Sequence, residues 1–476
     1  MGGLFTLHDL SFAWFHVYTP TERILMNIMT SRERPISTIS LVLLAAVCCP
    51  ALGHAQEGIE LVAAERIPGD VFGVSVAISG TTLIVGAGED NGSGNDTGCA
   101  YLFDSSTGTE LFRLTASVVS EGGKFGASVG VSGTTAIVGA AGNSELGHRF
   151  GAAYLFDTTT GEQLFKLTAL DGDVRDQFGS SVSISGNLAI VGSIADDDRG
   201  LNSGSAYIFD VTTGQQLLKL TASDGAEGDY FGNTVFLSGS TAIVGAYRND
   251  ERGTDSGAAY LFDVTTGEEL FKLVASDAAV EDWFGRSVSI SGTTAIVGAE
   301  RDDDSGTSSG SAYLFDSITG QEIFKLTASD ASSFKNFGHG VSISGRTAVI
   351  TTPDAGTYFF DTMTGEELFK LNLPAHGFGY SAAISDRSVI VGAADPGDDD
   401  GGDPDLFGSA FLFNDIVDPP ACPADLTGEG DLNFLDVSAF LAAFGNQDAV
   451  ADFEADGSFN FLDVSAFLAA FGAGCP

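Results

Sequence analysis

The chain has 476 residues, of which 62 are glycine and 43% are hydrophobic, which is enough for a large folded core. Its 64 acidic and 21 basic residues give a formal net charge of −43 at pH 7. This charge argues against nucleic acid as a partner, because phosphate contacts need clustered lysine and arginine. We expect cations, basic proteins or glycans as partners instead, and a monomer that self-repulsion keeps soluble.

The N-terminal region reads as an export signal. Arg32 and Arg34 form a basic segment, residues 36–52 an apolar one, and residues 53–55 a small-residue cleavage site. We therefore predict a signal peptide over residues 29–55 and interpret residues 1–28 as a mis-annotated upstream extension, with translation starting at Met29 or at Met26. The apolar run is too short for a membrane anchor, so no transmembrane segment is expected in the mature chain, which should be secreted or held at the cell surface.

A unit that begins with Phe-Gly and ends with Val-Gly-Ala recurs along most of the chain. The first five intervals between these Phe-Gly pairs are 53 residues and the last is 41. The pairs begin at Phe72, Phe125, Phe178, Phe231, Phe284, Phe337 and Phe378. A period this regular indicates one supersecondary unit repeated around an axis or along a line.

Each repeat contains four short segments with the pattern of strands. In the third copy, residues 182–185 alternate in polarity, residues 188–191 and 206–209 are apolar, and residues 217–221 follow a Thr-Thr-Gly turn. Four strands in about 50 residues is the size of a propeller blade. Lys219, on the last of these segments, would protect the outer edge of the blade.

The two ends of the repeat region complement each other. The seventh copy provides three strand-like segments, at residues 381–385, 388–392 and 409–413, and lacks a fourth. Residues 59–63 match the missing segment and precede the first copy. We therefore predict an all-β fold over residues 57–416, a seven-bladed β-propeller closed by an N-terminal strand, with six or eight blades as alternatives.

The Phe-Gly and Val-Gly-Ala elements resemble the FG-GAP repeat, the propeller unit of integrin α-subunits and many bacterial surface proteins. The resemblance covers residues 58–414 and implies a propeller. Integrin-type repeats carry an Asp-rich calcium loop between the two elements. Here that place holds only Ser-Gly-Thr-Thr, for example at residues 132–135, so those calcium sites do not carry over.

Acidic residues concentrate in two kinds of connection that should share one face of a propeller. The loops between the second and third strands contain acidic runs, as do the linkers between blades. The runs are Glu89-Asp90, Asp196-Asp197-Asp198, Asp250-Glu251, Asp302-Asp303-Asp304 and Asp398-Asp399-Asp400, with Asp171, Asp173, Asp224, Asp229, Glu281 and Asp282 in the linkers. This face could bind a glycan, a cation or a basic protein, or could serve solubility alone.

The sequence offers little support for catalysis. After the predicted cleavage the histidines are His148, His339 and His376, and each occupies a different place in its repeat. No Ser/His/Asp motif, reactive-cysteine context or metal triad is present in the sequence. Cys99 replaces the alanine of other copies within a strand, which is typical of a buried inert thiol.

The C-terminal tail carries a second repeat with a calcium-loop spacing. The segment 434–445 recurs unchanged as 461–472, and each copy follows oxygen-bearing residues at positions 1, 3, 5, 7, 9 and 12 of a loop. A helix over residues 437–444 should begin where the first loop ends. The predicted Ca²⁺ ligands are Asp425, Thr427, Glu429, Asp431, Asn433 and Asp436 in the first loop, and Asp452, Glu454, Asp456, Ser458, Asn460 and Asp463 in the second.

A loop followed by one helix, duplicated, resembles a dockerin. With its bracketing cysteines, the segment 421–476 resembles the dockerin-like tails of exported proteins of planctomycete-type bacteria. The resemblance implies a small all-α calcium-binding module after a linker at 417–420, and docking to a cohesin-like or cell-envelope protein. In an exported chain the bracketing Cys422 and Cys475 should form a disulfide.

Together these features favour an exported, non-catalytic binding, adhesion or scaffold protein. Its propeller would present an acidic ligand-binding face, and its tail would dock it to a cell-surface partner in a calcium-dependent way. The alternative is a polysaccharide-active lyase or hydrolase carried by a dockerin. A central channel lined by histidine, tyrosine and paired carboxylates would support that alternative.

Overall fold

The computed structural model describes residues 58–65, 70–89, 97–118, 120–353, 355–394, 408–414, 416, 434–446, 451 and 464–468. These residues form 28 β-strands and one named α-helix. Within this part of the chain no helix has the length and apolarity needed to cross a membrane. The predicted export signal and upstream extension, residues 1–55, lie outside the described residues.

The strands follow one another in chain order and are grouped here by sheet. The first sheets contain β2 (Phe72–Ser79), β3 (Thr82–Ala87), β4 (Cys99–Asp104), β5 (Glu110–Leu114); β6 (Val129–Ser132), β7 (Thr135–Ala140), β8 (Ala152–Asp157), β9 (Gln163–Leu167); β10 (Phe178–Ser185), β11 (Leu188–Ser193), β12 (Ser205–Asp210), β13 (Gln215–Leu220); and β14 (Val235–Ser238), β15 (Thr241–Ala246), β16 (Ala258–Asp263), β17 (Glu268–Leu273). The others contain β18 (Phe284–Ser291), β19 (Thr294–Ala299), β20 (Ser311–Asp316), β21 (Glu322–Leu326); β22 (Gly340–Ser344), β23 (Thr347–Thr352), β24 (Gly356–Asp361), β25 (Glu367–Leu371); and β26 (Phe378–Ser385), β27 (Ser388–Ala393), β28 (Ser409–Phe413) with β1 (Ile59–Leu61).

The described strands form seven antiparallel sheets of four strands each, which we call blades 1 to 7 in the chain order of their first strands. In blades 1 to 6 the four strands are consecutive. In blade 7 the order is β1-β28-β27-β26, and Glu60 of β1 lies opposite Phe411 of β28. The fold is therefore an all-β seven-bladed propeller, and the predicted number of blades is confirmed.

The strands of blade 3 show how the repeat pattern becomes a blade. The first strand starts at Phe178, earlier than the alternating segment indicates, because the Phe-Gly pair joins the ladder before a bulge between Phe178 and Val182. Phe178 packs edge-on against Tyr207 at 5.5 Å and Phe209 at 5.8 Å between ring centroids. Equivalent aromatic trios occur in the other blades whose third strand carries both rings, which explains why the repeat retains these residues.

The two glycine motifs of the repeat meet at the joints between blades. In blade 3, a Cβ on Gly192 would overlap the backbone carbonyl of Gly232 in blade 4. Gly392 of blade 7 approaches the carbonyl of Gly73 in blade 1 in the same way, and the Ser381 hydroxyl donates a 2.8 Å hydrogen bond to that carbonyl oxygen. Blades 7 and 1 are therefore joined like the neighbours within the chain.

Part of the C-terminal tail is helical. Helix α1 spans Phe434–Asn446, which includes the predicted helix over residues 437–444, and residues 464–468 of the second copy are also helical. Phe440 and Phe467 occupy equivalent places in the two copies, are both buried, and stack with ring centroids 4.1 Å apart. Leu441 and Leu468 are exposed.

Candidate ligand-binding face

In blades 3 to 5 the acidic loops and linkers lie together on one face, and lysines of the outer strands neutralise part of their charge. In blade 3, Nζ of Lys219 lies 2.8 Å from the linker residue Asp171, 3.1 Å from Asp196 and 2.5 Å from Asp198 of the loop between the second and third strands. The predicted shared face is thus present, because one ammonium group reaches carboxylates from both kinds of connection. The sequence predicts that Lys219 protects the outer edge of the blade; in the structure its ammonium group forms ion pairs with these carboxylates.

Blade 5 repeats this arrangement. Nζ of Lys325 lies 2.6 Å from Asp277, 2.9 Å from Asp302 and 2.5 Å from Asp304. These three carboxylates lie close enough together to hold a metal ion, but the lysine ammonium already sits among them. Burial lowers the pKa of Lys325, and the hydrogen bonds to the three carboxylates raise it by more, so the pKa lies above its ordinary value and the ammonium stays charged. The cluster gives no grounds for assigning a metal.

Tyrosines of the third strands form hydrogen bonds with the same carboxylates. The hydroxyl of Tyr313 lies 2.9 Å from a carboxylate oxygen of Asp277 and of Asp302 and can donate its one hydrogen to either, and that of Tyr207 donates a 2.8 Å hydrogen bond to Asp196. Burial and the neighbouring carboxylates raise the pKa of both tyrosines far above the ordinary value, so they remain donors. Many acidic residues of this face therefore serve the structure of the loops.

Another set of buried aspartates closes the linkers. The Asp282 carboxylate accepts a 2.6 Å hydrogen bond from the backbone N–H of Ala279, and Asp176 accepts one of the same length from Asp173. Burial, partly offset by these hydrogen bonds and reinforced by nearby carboxylates, raises the pKa of Asp176 and of Asp282 to about 6. Burial likewise raises the pKa of Asp229, which occupies the equivalent position in the linker before blade 4.

The same face carries a cluster of side chains that the repeat does not predict. Each member directly precedes or follows a Phe-Gly pair, or is one of the first two residues after a second strand, so all lie at one end of the inner hairpin. We call this the aromatic–arginine cluster; it consists of Tyr230, Tyr247, Arg248, Trp283, Arg286, Glu300, Arg301, His339 and Tyr380. In blades 2 and 3, residues such as Ala127 and Ser180 occupy the position that Arg286, His339 and Tyr380 take in blades 5 to 7.

The aromatic part of the cluster bridges blades 4 and 5. Tyr230 stacks on Tyr247 with centroids 5.8 Å apart, and Tyr247 meets Trp283 edge-on at 5.3 Å. The guanidinium carbon of Arg248 lies between 5.3 and 5.9 Å from the centroids of these three rings. That of Arg301 lies 3.4 Å from the Trp283 centroid, in direct cation–π contact.

The polar part of the cluster surrounds a buried carboxylate in blade 5. The Glu300 carboxylate accepts a 2.6 Å hydrogen bond from Nδ1 of His339 and lies 3.3 Å from Nε of Arg286. His339 in turn packs against Tyr380 with centroids 5.0 Å apart. Burial raises the pKa of Glu300, but the hydrogen bond to His339 and the charges of Arg286 and Arg301 lower it by more, so Glu300 stays ionised.

The cluster has unused hydrogen-bonding capacity. Nε of Arg248 and Nε1 of Trp283 are buried and have no hydrogen-bond partner, and among the described residues neither Arg248 nor Arg301 forms an ion pair within 4 Å. Buried polar atoms without partners are uncommon and costly. The local balance of three arginines and one glutamate is also positive, on a protein whose net charge is strongly negative.

Comparison with protein families identifies the repeat. The FG-GAP repeat matches residues 56–103, 109–156, 162–209, 215–262, 268–315 and 321–358, which together make up more than half of the chain. The chain belongs to the FG-GAP repeat family. No curated protein matches the sequence. The FG-GAP resemblance noted from the motifs is thereby confirmed, and the cluster lies within the matched region except for Tyr380.

Most of the site residues predicted in the tail cannot be placed. Asp436 lies in helix α1, and the other eleven predicted Ca²⁺ ligands, with Cys422, Cys475 and the acidic run 398–400, lie outside the described residues. Cys99 is buried in β4, as expected. Of the three histidines, His339 joins the cluster, whereas His148 and His376 are exposed elsewhere on the chain.

Proposed function

We propose that this FG-GAP propeller is an exported, non-catalytic binding protein, and that the aromatic–arginine cluster is where its ligand binds. The observation that carries the proposal is the concentration of non-repeated residues at one place. Blades built for stability alone would repeat the same side chains, and binding residues are commonly carried by loops on a rigid scaffold. Tryptophan, tyrosine and arginine are also the residues that dominate binding energy at interfaces.

The tail would anchor this propeller to the cell surface. We propose that residues 421–476 form a dockerin-like module that binds two Ca²⁺ ions through the predicted loops, is closed by a Cys422–Cys475 disulfide, and docks to a cohesin-like or envelope protein. The stacked Phe440 and Phe467 support the proposal, because equivalent residues of a duplicated unit that pack on each other are typical of a two-fold module. The exposed Leu441 and Leu468 would contact the partner.

Fractionation of cells producing the full chain would test this function. We expect the protein on the cell surface and its release into the medium by a calcium chelator. The double variant Asp425→Ala, Asp452→Ala, which removes the first ligand of each loop, should be released without chelator, whereas the propeller variant Asp386→Asn should behave as the parent chain. Protein retained in the cytoplasm, or surface retention that is insensitive to chelator and to the double variant, would contradict the proposal.

We also propose that β1 closes the ring. The antiparallel pairing of Ile59 with Leu412 supports this role, as does the way Ile59 packs beside Gly108 of blade 1. Phe112 and Phe165, on the outer strands of blades 1 and 2, lie in the same way beside Gly161 and Gly214 of the following blades. Closure by the N-terminal strand would tie the two ends of the repeat region together and remove a free sheet edge.

One observation favours the catalytic alternative. His339, ionised Glu300 and Tyr380 meet beside Arg286, and such a group could abstract the proton at C5 of a uronic acid while the arginine binds its carboxylate. The C4–C5 double bond would form as the bond from C4 to the glycosidic oxygen breaks, and that oxygen would leave with a proton taken from this group or from water. The test is incubation of the full chain with polygalacturonate and measurement of the ultraviolet absorbance of unsaturated product. Turnover that is abolished in His339→Ala would establish a lyase; absence of product, with binding retained, is what a binding protein predicts.

A further inference from the structure

We infer that the aromatic–arginine cluster binds an acidic polysaccharide, with a sugar ring on the aromatic side chains and its carboxylate on Arg301 or Arg248. This inference rests on the proposed function and names the ligand of the same face. Its starting point is the local reversal of charge: the cluster places three arginines beside one glutamate on a chain with a net charge of −43. The three guanidinium groups at this place favour an anionic ligand over a cation or a basic protein.

The arginines favour a carboxylate. The Arg301 side chain is exposed, and its guanidinium carbon lies 3.4 Å from the centroid of the Trp283 ring. A planar guanidinium offers paired N–H donors that match the two oxygens of a carboxylate. Neither Arg301 nor Arg248 spends these donors on an acidic partner among the described residues.

The aromatic side chains favour a sugar. Tyr230, Tyr247 and Trp283 are half-buried and contact one another in a row across blades 4 and 5. The C–H bonds on one side of a pyranose ring carry partial positive charge and are attracted to the negative face of an aromatic ring.

An acidic peptide fits this surface less well. A peptide brings backbone N–H and C=O groups that need partners, and it usually finds them at a free strand edge. The loops beside the cluster close on themselves: Gly253 donates to Asp250, Gly257 to Asn249, and Trp283 to Asp255 through backbone hydrogen bonds.

Trp283 supplies a direct probe of the site. The sequence has two tryptophans, Trp14 and Trp283, so the full chain with Trp14→Phe reports on the cluster alone. We would titrate this protein with polygalacturonate, its neutral methyl ester and polyglutamate, and follow fluorescence and its quenching by acrylamide. We expect polygalacturonate to shift the emission and to shield Trp283 from acrylamide, with an affinity that falls as the salt concentration rises. The methyl ester should bind at least roughly tenfold more weakly than polygalacturonate.

Substitutions at Arg301 test whether polygalacturonate binds at the cluster. Arg301→Gln should weaken polygalacturonate binding by roughly tenfold or more, as expected for loss of one charge-assisted pair. Arg301→Lys should recover only part of it. Arg199→Gln, which removes an exposed arginine from a loop of blade 3 outside the cluster, should leave the affinity unchanged. Arg301 is exposed, so its variants should keep the fold, and their thermal unfolding would verify this.

The outcomes separate this inference from the function on which it rests. No binding of polygalacturonate, or equal weakening by Arg301→Gln and Arg199→Gln, would overturn the inference. Binding of polyglutamate alone, lost in Arg301→Gln, would overturn the glycan as ligand and leave a binding protein. Binding of polygalacturonate followed by its cleavage would support the glycan and overturn the non-catalytic function.

Discussion

In blades 3, 4 and 5, one lysine side chain per blade pairs with the carboxylates of the acidic loop. In blade 5, Lys325 holds Asp277, Asp302 and Asp304, and Asp302 is almost completely buried. A buried carboxylate that loses its cation is costly, whereas an exposed pair contributes little. These lysines therefore offset the cost of burying a loop carboxylate such as Asp302.

Replacing that lysine should therefore destabilise the propeller. We expect Lys325→Met to lower the free energy of unfolding by about 2 kcal/mol, after allowance for the partial exposure of the group. Lys124→Met is the matched control, because Lys124 is half-exposed and makes one ion pair of 3.4 Å with Glu89; its effect should stay below about 0.5 kcal/mol. Urea denaturation followed by circular dichroism measures both. Equal effects would show that the lysine is not structural.

The buried aspartates of the linkers predict an unusual pH dependence. Asp176 and Asp282 have pKa values of about 6 in the folded protein against 3.8 ordinarily. The folded state therefore binds more protons than the unfolded chain between pH 4 and pH 6, and its stability falls as pH rises through that range. Ionisation of each group would lower the free energy of unfolding by up to about 3 kcal/mol between pH 4 and pH 7.

Asp282→Asn tests this sign. Asparagine can still accept the hydrogen bond from Ala279 but does not titrate, so the loss of stability between pH 4 and pH 6 should shrink. Asp386→Asn, at an exposed turn, is the control for the change in net charge and should leave the slope as it is. Urea midpoints measured at half-unit pH steps decide the matter, and an unchanged slope in Asp282→Asn would refute the assignment.

At the scale of elements, two kinds of glycine explain why the repeat is so regular. Gly192 lies next to the last residue of the second strand of blade 3, where the backbone of Gly232 passes too close for any side chain. Gly186, in the hairpin turn of the same blade, has φ +57° but faces open space. The first glycine is required by packing between blades, and the second by backbone conformation alone.

These two glycines give a matched pair of variants. Gly192→Ala should destabilise the propeller by several kcal/mol or prevent its folding, because the new Cβ meets immobile backbone of the next blade. Gly186→Ala should cost only about 1 kcal/mol, the strain of a left-handed alanine. Thermal unfolding of both proteins provides the comparison. A mild effect of Gly192→Ala would mean that the blades can separate at this joint.

The elements could be predicted from the sequence because each blade repeats the same local evidence. Alternating polarity at residues 182–185 and the turn at Gly186 recur at a fixed period, so an error in one copy would be exposed by the others. The aromatic–arginine cluster was not predicted, because it arises where Tyr247 and Trp283 of different blades meet. Alignment of the copies would have shown Trp283 and Arg301 as departures from the repeat, but only the fold shows that such departures converge.

At the scale of the whole molecule, the proposed closure by β1 makes the stability of all seven blades depend on three residues. Leu61 is fully buried in the same core as Tyr101 of blade 1 and Leu412 of blade 7, whereas the adjacent Val62 is 44% exposed. A ring in which each blade packs on two neighbours loses one joint, and exposes two blade faces, if its closing strand is lost. The effect should reach blades far from the seam.

Leu61→Asp tests this coupling. Burying an unpaired charge at Leu61 should cost about 4 kcal/mol or more, and Val62→Asp should cost less than about 1 kcal/mol. In the background of Trp14→Phe, the fluorescence of Trp283 on blade 5 reports unfolding far along the ring from the seam. If β1 closes the propeller, Leu61→Asp lowers the urea midpoint seen by Trp283 and by circular dichroism equally. A lowered midpoint by circular dichroism with an unchanged Trp283 transition would show that β1 stabilises blade 7 alone, because a loss confined to the seam would leave blade 5 folded.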